Sequence, residues 1–459
     1  MTLRSALLFI VFFTAGVPVY ADGGTQITAC VAALPSKGGV CDFRNRGAIA
    51  AASSIVVSKP VTLLLRGTQL TLDGTPGIVI QADDVRIEGV SGETELIQGG
   101  ALGSREVNRN VIYGNELRGL EIRGVTFEGI PCSMPEDNNN GIKLQNAAPG
   151  SISRVWIADN VFTGFCDEAM LIQNAADVDV TRNTIYSVSD GIRFSGVDRG
   201  QIVNNVIRDS QLPNNGEFTV AIGLDTNATL DDKVSYPDCA DVRISGNKVS
   251  GYVNGEGVMV HGGSAIVISD NAFDNVLLGI GVDPLSPTDL VFDVTVAGNS
   301  YVGTTTSGAL ATTGNYGIFV GGGQETERPM RVDVRNNTIR QANEIAQSLG
   351  EGGIGVGYSS DVLIEDNVVS NSLYNGISMI NPNDNLVIRG NRISNITGAN
   401  ANGVHGWLGV QTGSIYFNAV DSATCGYRFD VHSPELLFGR NDATNVSVAV
   451  TGASNVGVE

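Results

Sequence analysis

In Gly164-Phe165-Cys166-Asp167-Glu168-Ala169-Met170-Leu171 two adjacent acids stand at the mouth of an apolar run. Like charges that close raise at least one carboxyl pKa, which suits a general acid, and two or three carboxylates can also gather a hard cation. Asp190 and Arg193 follow in Ser189-Asp190-Gly191-Ile192-Arg193, and Lys143 precedes them in Gly141-Ile142-Lys143-Leu144-Gln145. Asn140, Gln173, Asp225 and His261 are polar groups of the kind that hydrogen-bond a hydroxyl-rich ligand. Such residues do proton-transfer chemistry only if the backbone carries them to one place.

A repeat supplies that backbone. The segment VWIADNVF (155–162) returns as VDVTRNTI, QIVNNVI, VRISGNKV, IVISDNAF, VTVAGNSY, VDVRNNTI, VLIEDNVV, LVIRGNRI and SIYFNAV. Its Asn falls at 160, 183, 205, 247, 271, 299, 337, 367, 391 and 418, with a fainter copy at Asn441. Between these lie short apolar runs such as GIKLQ, AMLIQ, GIRFS, AIGLD, GVMVH and GIGVD. Alternation of this kind marks strands with one buried face. Roughly 22 residues at ~3.3 Å each suffice for three short strands and three turns, one circuit of a coil. Coils stacked at the ~4.8 Å strand spacing pair each strand with its copies, and Asn at one turn can then form an amide ladder.

The register decides which residues share a wall. In each Gly-Ile-x-Phe-x strand the second and fourth residues are apolar and face inward, which leaves the first, third and fifth to face out. The third positions read Lys143, Leu171, Arg193, Gly223, Met259 and Gly281; the fifth read Gln145, Gln173, Ser195, Asp225, His261 and Asp283. Asn140, Asp167, Glu168, Asp190 and Glu256 are expected in the turns just before these strands. One outward strip should therefore hold the mixed charge, and His405, Trp407, Arg428 and Asp430 renew it near the end of the chain.

Composition narrows the function. There are 28 Lys and Arg against 48 Asp and Glu, a net charge of −20 that disfavours nucleic acid and anionic membrane surfaces as partners. The 58 Gly residues and few aromatics suit one long turn-dense β structure. Residues 1–21 read as an export signal, with Arg4, an apolar run from Ala6 to Ala15, and small residues at Val19 and Ala21. The expectation is a secreted or periplasmic monomer with no membrane span. It has a cap at 22–60, including a short helix around 26–34, and coils over 61–459.

These coils resemble the right-handed parallel β-helix of the pectin-lyase superfamily over about residues 60 to 445. The resemblance implies an all-β, right-handed, single-stranded parallel β-helix with three parallel sheets, about 11–13 coils and an N-terminal capping helix. Cys30 and Cys41 flank the PSKGG turn and should pair. VTFEGIPC (125–132) aligns with VFTGFC (161–166), which predicts a Cys132–Cys166 bridge, while Cys239 and Cys425 should be unpaired. NNNGIKLQ…VWIADNVFTGFCDEAMLIQN is similar to the pectate-lyase core, with Asp167 matching a calcium-ligand aspartate; Asp167, Glu168 and Asp190 would hold Ca²⁺. The same coils resemble polygalacturonases, whose acid pair would correspond to Asp167-Glu168.

The implied function is an exported enzyme acting on a polysaccharide, with β-elimination on a uronic-acid polymer preferred. Its catalytic groups would be Lys143, Glu168, Asp190 and Arg193, and its substrate contacts Asn140, Gln173, Asp225 and His261. Inverting hydrolysis with Glu168 as acid and Asp190 as base is the alternative. A non-catalytic carbohydrate-binding β-helix is the third reading.

Overall fold

The computed structural model describes residues 10–11, 22–73, 76–99, 109–130, 139–146, 150–210, 219–225, 237–303, 316–342, 352–398, 400–409, 411–452, 454 and 456–458. Among these, three parallel sheets take one strand each from successive coils, and the second sheet has fifteen strands. That exceeds the expected 11–13 coils because strands such as Ile55–Val57, Ile78–Ile80 and Arg109–Gly114 precede the first repeat Asn and carry no such marker. Cα packing divides the chain into two compact units. One runs to Gly191 with Val197–Gly200; the other comprises Ile192–Gly196 and the chain from Gln201 onward, apart from Pro213–Asn215.

The turn chemistry explains the repeat. The residue before each ladder Asn has positive φ: Asp159 (59°), Arg182 (54°), Gly246 (67°), Asp270 (58°), Gly298 (69°), Asp366 (54°) and Gly390 (68°) among them. That left-handed region suits Gly, Asn and Asp, which accounts for the recurring Asp-Asn, Gly-Asn and Asn-Asn pairs. The Asn that follows points inward. Within the second unit each Nδ2 donates to the next Oδ1, from Asn205 to Asn247 to Asn271 to Asn299, at 3.0 Å per step. The ladder continues through Asn337, Asn367, Asn391 and Asn418 to Asn441. In the first unit Asn160 donates to Asn183 in the same way. Each rung also bonds backbone, so the row satisfies the buried polar groups of the turn.

Strand register follows the expected alignment, with Lys143 opposite Leu171, Arg193 opposite Gly223, and Met259 opposite both Gly223 and Gly281. Two features of the second sheet differ from the alternation expected. Its outward residues are largely covered: Lys143 is 1% exposed, Met259 5% and His405 3%. The first-position glycines are buried as well, because a Cβ there would strike the carbonyl of the next coil. Gly257 would meet Gly279 at 2.5 Å, Gly279 would meet Gly317 at 2.4 Å, and Gly376 would meet Gly403 at 2.6 Å. Rings and branched side chains of the third sheet, such as Phe273 and Ile393, press on the same seam.

At the N-terminal side the helix Gly23–Ala33 is capped by Asp22, whose carboxylate accepts from the Thr25 and Ala52 backbone N–H groups. Ile27, Cys30 and Val31 are buried beneath it. Cys30 bonds Cys41, fixing the helix to the strand Gly39–Asp42. Phe127 stacks on Phe162 at 4.5 Å, in the register that suggested the second bridge. Cys166 is disulfide-bonded; its expected partner Cys132 lies outside the described residues. Cys239 and Cys425 are buried thiols outside any disulfide among the described residues.

Candidate active site

In the first unit the acid pair sits where the register put it. The Glu168 N–H donates to Asn140 Oδ1, and the Asp190 N–H donates to the Asp167 carbonyl. Residues 140, 167–168 and 190 therefore share one wall. Their environments differ from the exposed turn expected. Glu168 is the first residue of the strand Glu168–Gln173 and is 3% exposed, while Asp167 and Asp190 are half-buried. Asn140 is fully buried and its amide donates to Asn110, so its hydrogen bonds support the backbone. Lys143 and Gln173 are buried too. Among the described residues no group of three or more His, Cys, Asp and Glu is arranged to hold a metal ion.

The second unit assembles the more complete constellation. Arg193, Asp225, His261 and Asp283 come from four successive strands or strand ends: Asp190–Ser195, Thr219–Asp225, Gly255–Val260 and Leu278–Val282. The backbone carries the pleat past the last two strands, since the His261 N–H donates to Leu224 and the Asp283 N–H donates to Val260. Asp225 is the hub. Its Oδ2 accepts from Arg193 Nε at 2.7 Å and stands 2.6 Å from Nη2, while its Oδ1 faces His261 Nδ1 at 3.0 Å. His261 Nε2 lies 3.9 Å from Asp283 Oδ1. The Asp225 and His261 side chains are 9% and 11% exposed, Asp283 24% and Arg193 27%, so the cluster is closed beneath and open at its rim.

Glycines make the room. A Cβ at Gly281 would stand 3.1 Å from Asp283 Oδ1 and 3.5 Å from Glu256 Oε2, which places Glu256 beside the cluster. At Gly223 the Arg193 stem and the Met259 methyl occupy the space over the backbone.

The electrostatics sort the roles. Burial alone would raise the Asp225 carboxyl, but the Arg193 charge and the His261 hydrogen bond outweigh it and hold the pKa at about 2. A carboxylate ionised at every working pH can only accept, so His261 must carry its proton on Nδ1 and present the Nε2 lone pair when neutral. Burial disfavours the imidazolium, yet the Asp225 hydrogen bond and the charges of Asp283, Asp225 and Glu256 win, and the His261 pKa rises. Asp283 is pushed up to about 6, by burial first and by the Asp225 charge, against the pull of His261. The pair therefore holds one proton across a span of neutral pH, mainly on His261, and the form with neutral His261 beside protonated Asp283 is the minor one that offers a base nitrogen and an acid oxygen side by side.

Arg193, Asp225 and His261 were all legible as candidates, but Asp225 and His261 only as ligand contacts. Glu256 and Asp283 were register neighbours without a catalytic role. The available signal was Asp225, His261 and Asp283 recurring at the fifth position of consecutive strands.

Residues 316–456 match the family model described as "Right handed beta helix region". The fold of the chain is a right-handed parallel β-helix. No curated protein matches the sequence. Among solved structures the β-helix is similar to the catalytic domain of GH87 α-1,3-glucanase in complex with nigerose. That likeness has 14% identity and a TM-score of 0.48, covering 96% of this chain and 67% of the other. It is also similar to the Azotobacter vinelandii mannuronan C-5 epimerase AlgE6 A-module, at 13% identity and TM-score 0.48 over 94% and 96% of the two chains. A third is a DFA-IIIase mutant from Arthrobacter chlorophenolicus A6, at 11% identity and TM-score 0.46 over 77% and 81%. At these values the likeness is one of fold alone. No helix among the described residues is long and apolar enough to cross a membrane.

Proposed function

We propose that this β-helix cleaves a uronic-acid-containing polysaccharide by β-elimination at the Arg193–Asp225–His261–Asp283 cluster. The observation that carries the reading is the 3.9 Å between His261 Nε2 and Asp283 Oδ1. In elimination the proton lost from C5 and the oxygen leaving C4 sit on adjacent carbons, so a base and an acid close together can serve one face of the sugar. His261 Nε2 takes the C5 proton, the C4–C5 double bond forms as the C4–O4 bond breaks, and O4 takes up the proton carried by Asp283. Arg193 supplies positive charge toward the sugar carboxylate, whose acidity-raising role requires charge neutralisation. The short separation supports elimination over inverting hydrolysis, in which two carboxyl groups stand ~6.5–9.5 Å apart to admit water.

The test is an assay of the purified protein on polygalacturonate, alginate and neutral xylan. Ultraviolet absorbance from unsaturated ends, lost in His261→Ala, is the expected result. New reducing ends without that absorbance would replace elimination by hydrolysis, and retention on a polymer with neither signal would leave a binding protein.

A further inference from the structure

A second Arg–Asp–His constellation lies further along the same sheet of the second unit. Asp430 accepts from Arg428 Nε through Oδ1 at 2.9 Å and faces His405 Nε2 through Oδ2 at 3.0 Å. The carboxylate again holds an arginine and an imidazole at once. Register ties the three together, since His405 pairs with Arg428 and the Asp430 N–H donates to Gly406. Trp407 continues the His405 strand and stacks near the imidazole, with centroids 6.4 Å apart and planes 29° apart.

Several features separate this group from an ordinary surface ion pair. His405 is only 3% exposed, and its Nδ1 is buried with no hydrogen-bond partner, an arrangement that destabilises a fold unless it serves something else. The ring orientation is reversed relative to His261. Here Nε2 rather than Nδ1 meets the aspartate, and burial lowers the His405 pKa where that of His261 is raised. Burial favours the neutral imidazole, and the carboxylate beside it, Asp430, is shared with Arg428, so the constellation suits holding a ligand rather than moving protons. Arg428 uses only Nε on Asp430 and is about a third exposed, which leaves its two Nη groups without a protein partner among the described residues. An arginine whose inner nitrogen is pinned presents a planar, preorchestrated pair of donors that matches a carboxylate. Beside it, the half-buried Trp407 offers an apolar ring of the kind on which a sugar face packs.

We propose that Arg428, Asp430, His405 and Trp407 form a non-catalytic subsite for an acidic sugar. The carboxylate of a uronate residue pairs with the Arg428 Nη groups, and its ring lies against Trp407. The subsite rests on the uronate reading of function for its ligand class. It stands five strand steps from the His261 strand, about 24 Å at the strand spacing. It would hold polymer on the enzyme while cleavage occurs elsewhere.

Affinity electrophoresis in gels containing polygalacturonate, alginate or neutral xylan tests this, using wild type, Arg428→Gln and Trp407→Ala. The expected result is retardation of wild type in at least one acidic gel, weakened roughly tenfold in apparent affinity by either substitution, with no change in xylan. Circular dichroism on each variant confirms folding, and Arg428→Lys, which keeps the charge without the fork, should fall between Gln and wild type. Turnover of a short uronate oligomer should be unchanged in Arg428→Gln. Equal retardation of wild type and Arg428→Gln, or no retardation of wild type in either acidic gel, overturns the subsite. Loss of cleavage activity from wild type itself, with the retardation pattern intact, overturns the elimination reading and leaves the subsite standing.

Discussion

Replacing Asp225 by Asn should uncouple the candidate site in a way that pH exposes. The carboxylate meets Arg193 at 2.7 and 2.6 Å and His261 at 3.0 Å, and its side chain is 9% exposed. A carboxyl whose pKa drops from 3.8 to about 2 on folding contributes about 2.5 kcal/mol at neutral pH. Because the folded value lies below the unfolded one, that stabilisation is complete above about pH 4 and is lost as the pH falls through 2. The Asp225→Asn protein lacks the titration, so its urea midpoint should lie well below wild type at pH 6, and the gap should narrow by about 2 kcal/mol by pH 2. Asn can also donate to Nδ1, which favours the wrong imidazole tautomer, and kcat should fall by about 10²–10⁴. The measurements are urea denaturation from pH 2 to 6 and initial rates on the cleaved polymer. Parallel stability curves for the two proteins, or a kcat within a few-fold of wild type, would refute the assignment of Asp225 as the hub.

Three further outcomes follow from the same geometry. Asp283→Asn should abolish cleavage yet stabilise the fold at pH 7. A carboxyl raised to about 6 opposes folding once the pH exceeds its unfolded value, so the gain in melting temperature should appear above about pH 4 and grow toward 6. Gly281→Ala should push the Asp283 and Glu256 carboxylates apart and lower kcat with little change in melting temperature, since the added methyl meets side-chain oxygens at 3.1 and 3.5 Å. Asn271→Ala removes one rung and leaves a donor and an acceptor of its neighbours unmatched, so chemical denaturation should show a loss of about 2–3 kcal/mol with the catalytic parameters unaltered.

The ladder was readable in full because its cause is local. A left-handed turn residue followed by an inward Asn marks each coil from Asn160 onward, most often as Asp-Asn, Gly-Asn or Asn-Asn, and even faint Asn441 proves to be a rung. The register of the second sheet was equally legible, since one apolar pair per strand fixes which side chains superpose. What the sequence hid was covering. Asn140 reads as a turn residue but is buried against Asn110, and Lys143 reads as exposed but is 1% accessible. An Asn looks the same in a turn and inside a ladder, and nothing in a strand motif states what lies over its outer face. The acid pair Asp167-Glu168 drew attention because its members are adjacent in sequence. Asp225 and His261, 36 residues apart, meet only because a coil of irregular length still closes in register.

The glycine seam from Gly257 through Gly279, Gly317, Gly353, Gly376 and Gly403 to Gly426 leaves no space for a methyl group at one corner of each circuit. Any side chain introduced there would wedge two neighbouring turns apart and break the pairing on either side of it. Heritable change is thereby steered away from that corner and toward the outer rims, where new chemistry can be tried without disturbing the stack. The scaffold can exchange its cargo of reactive groups while its cross-section stays the same.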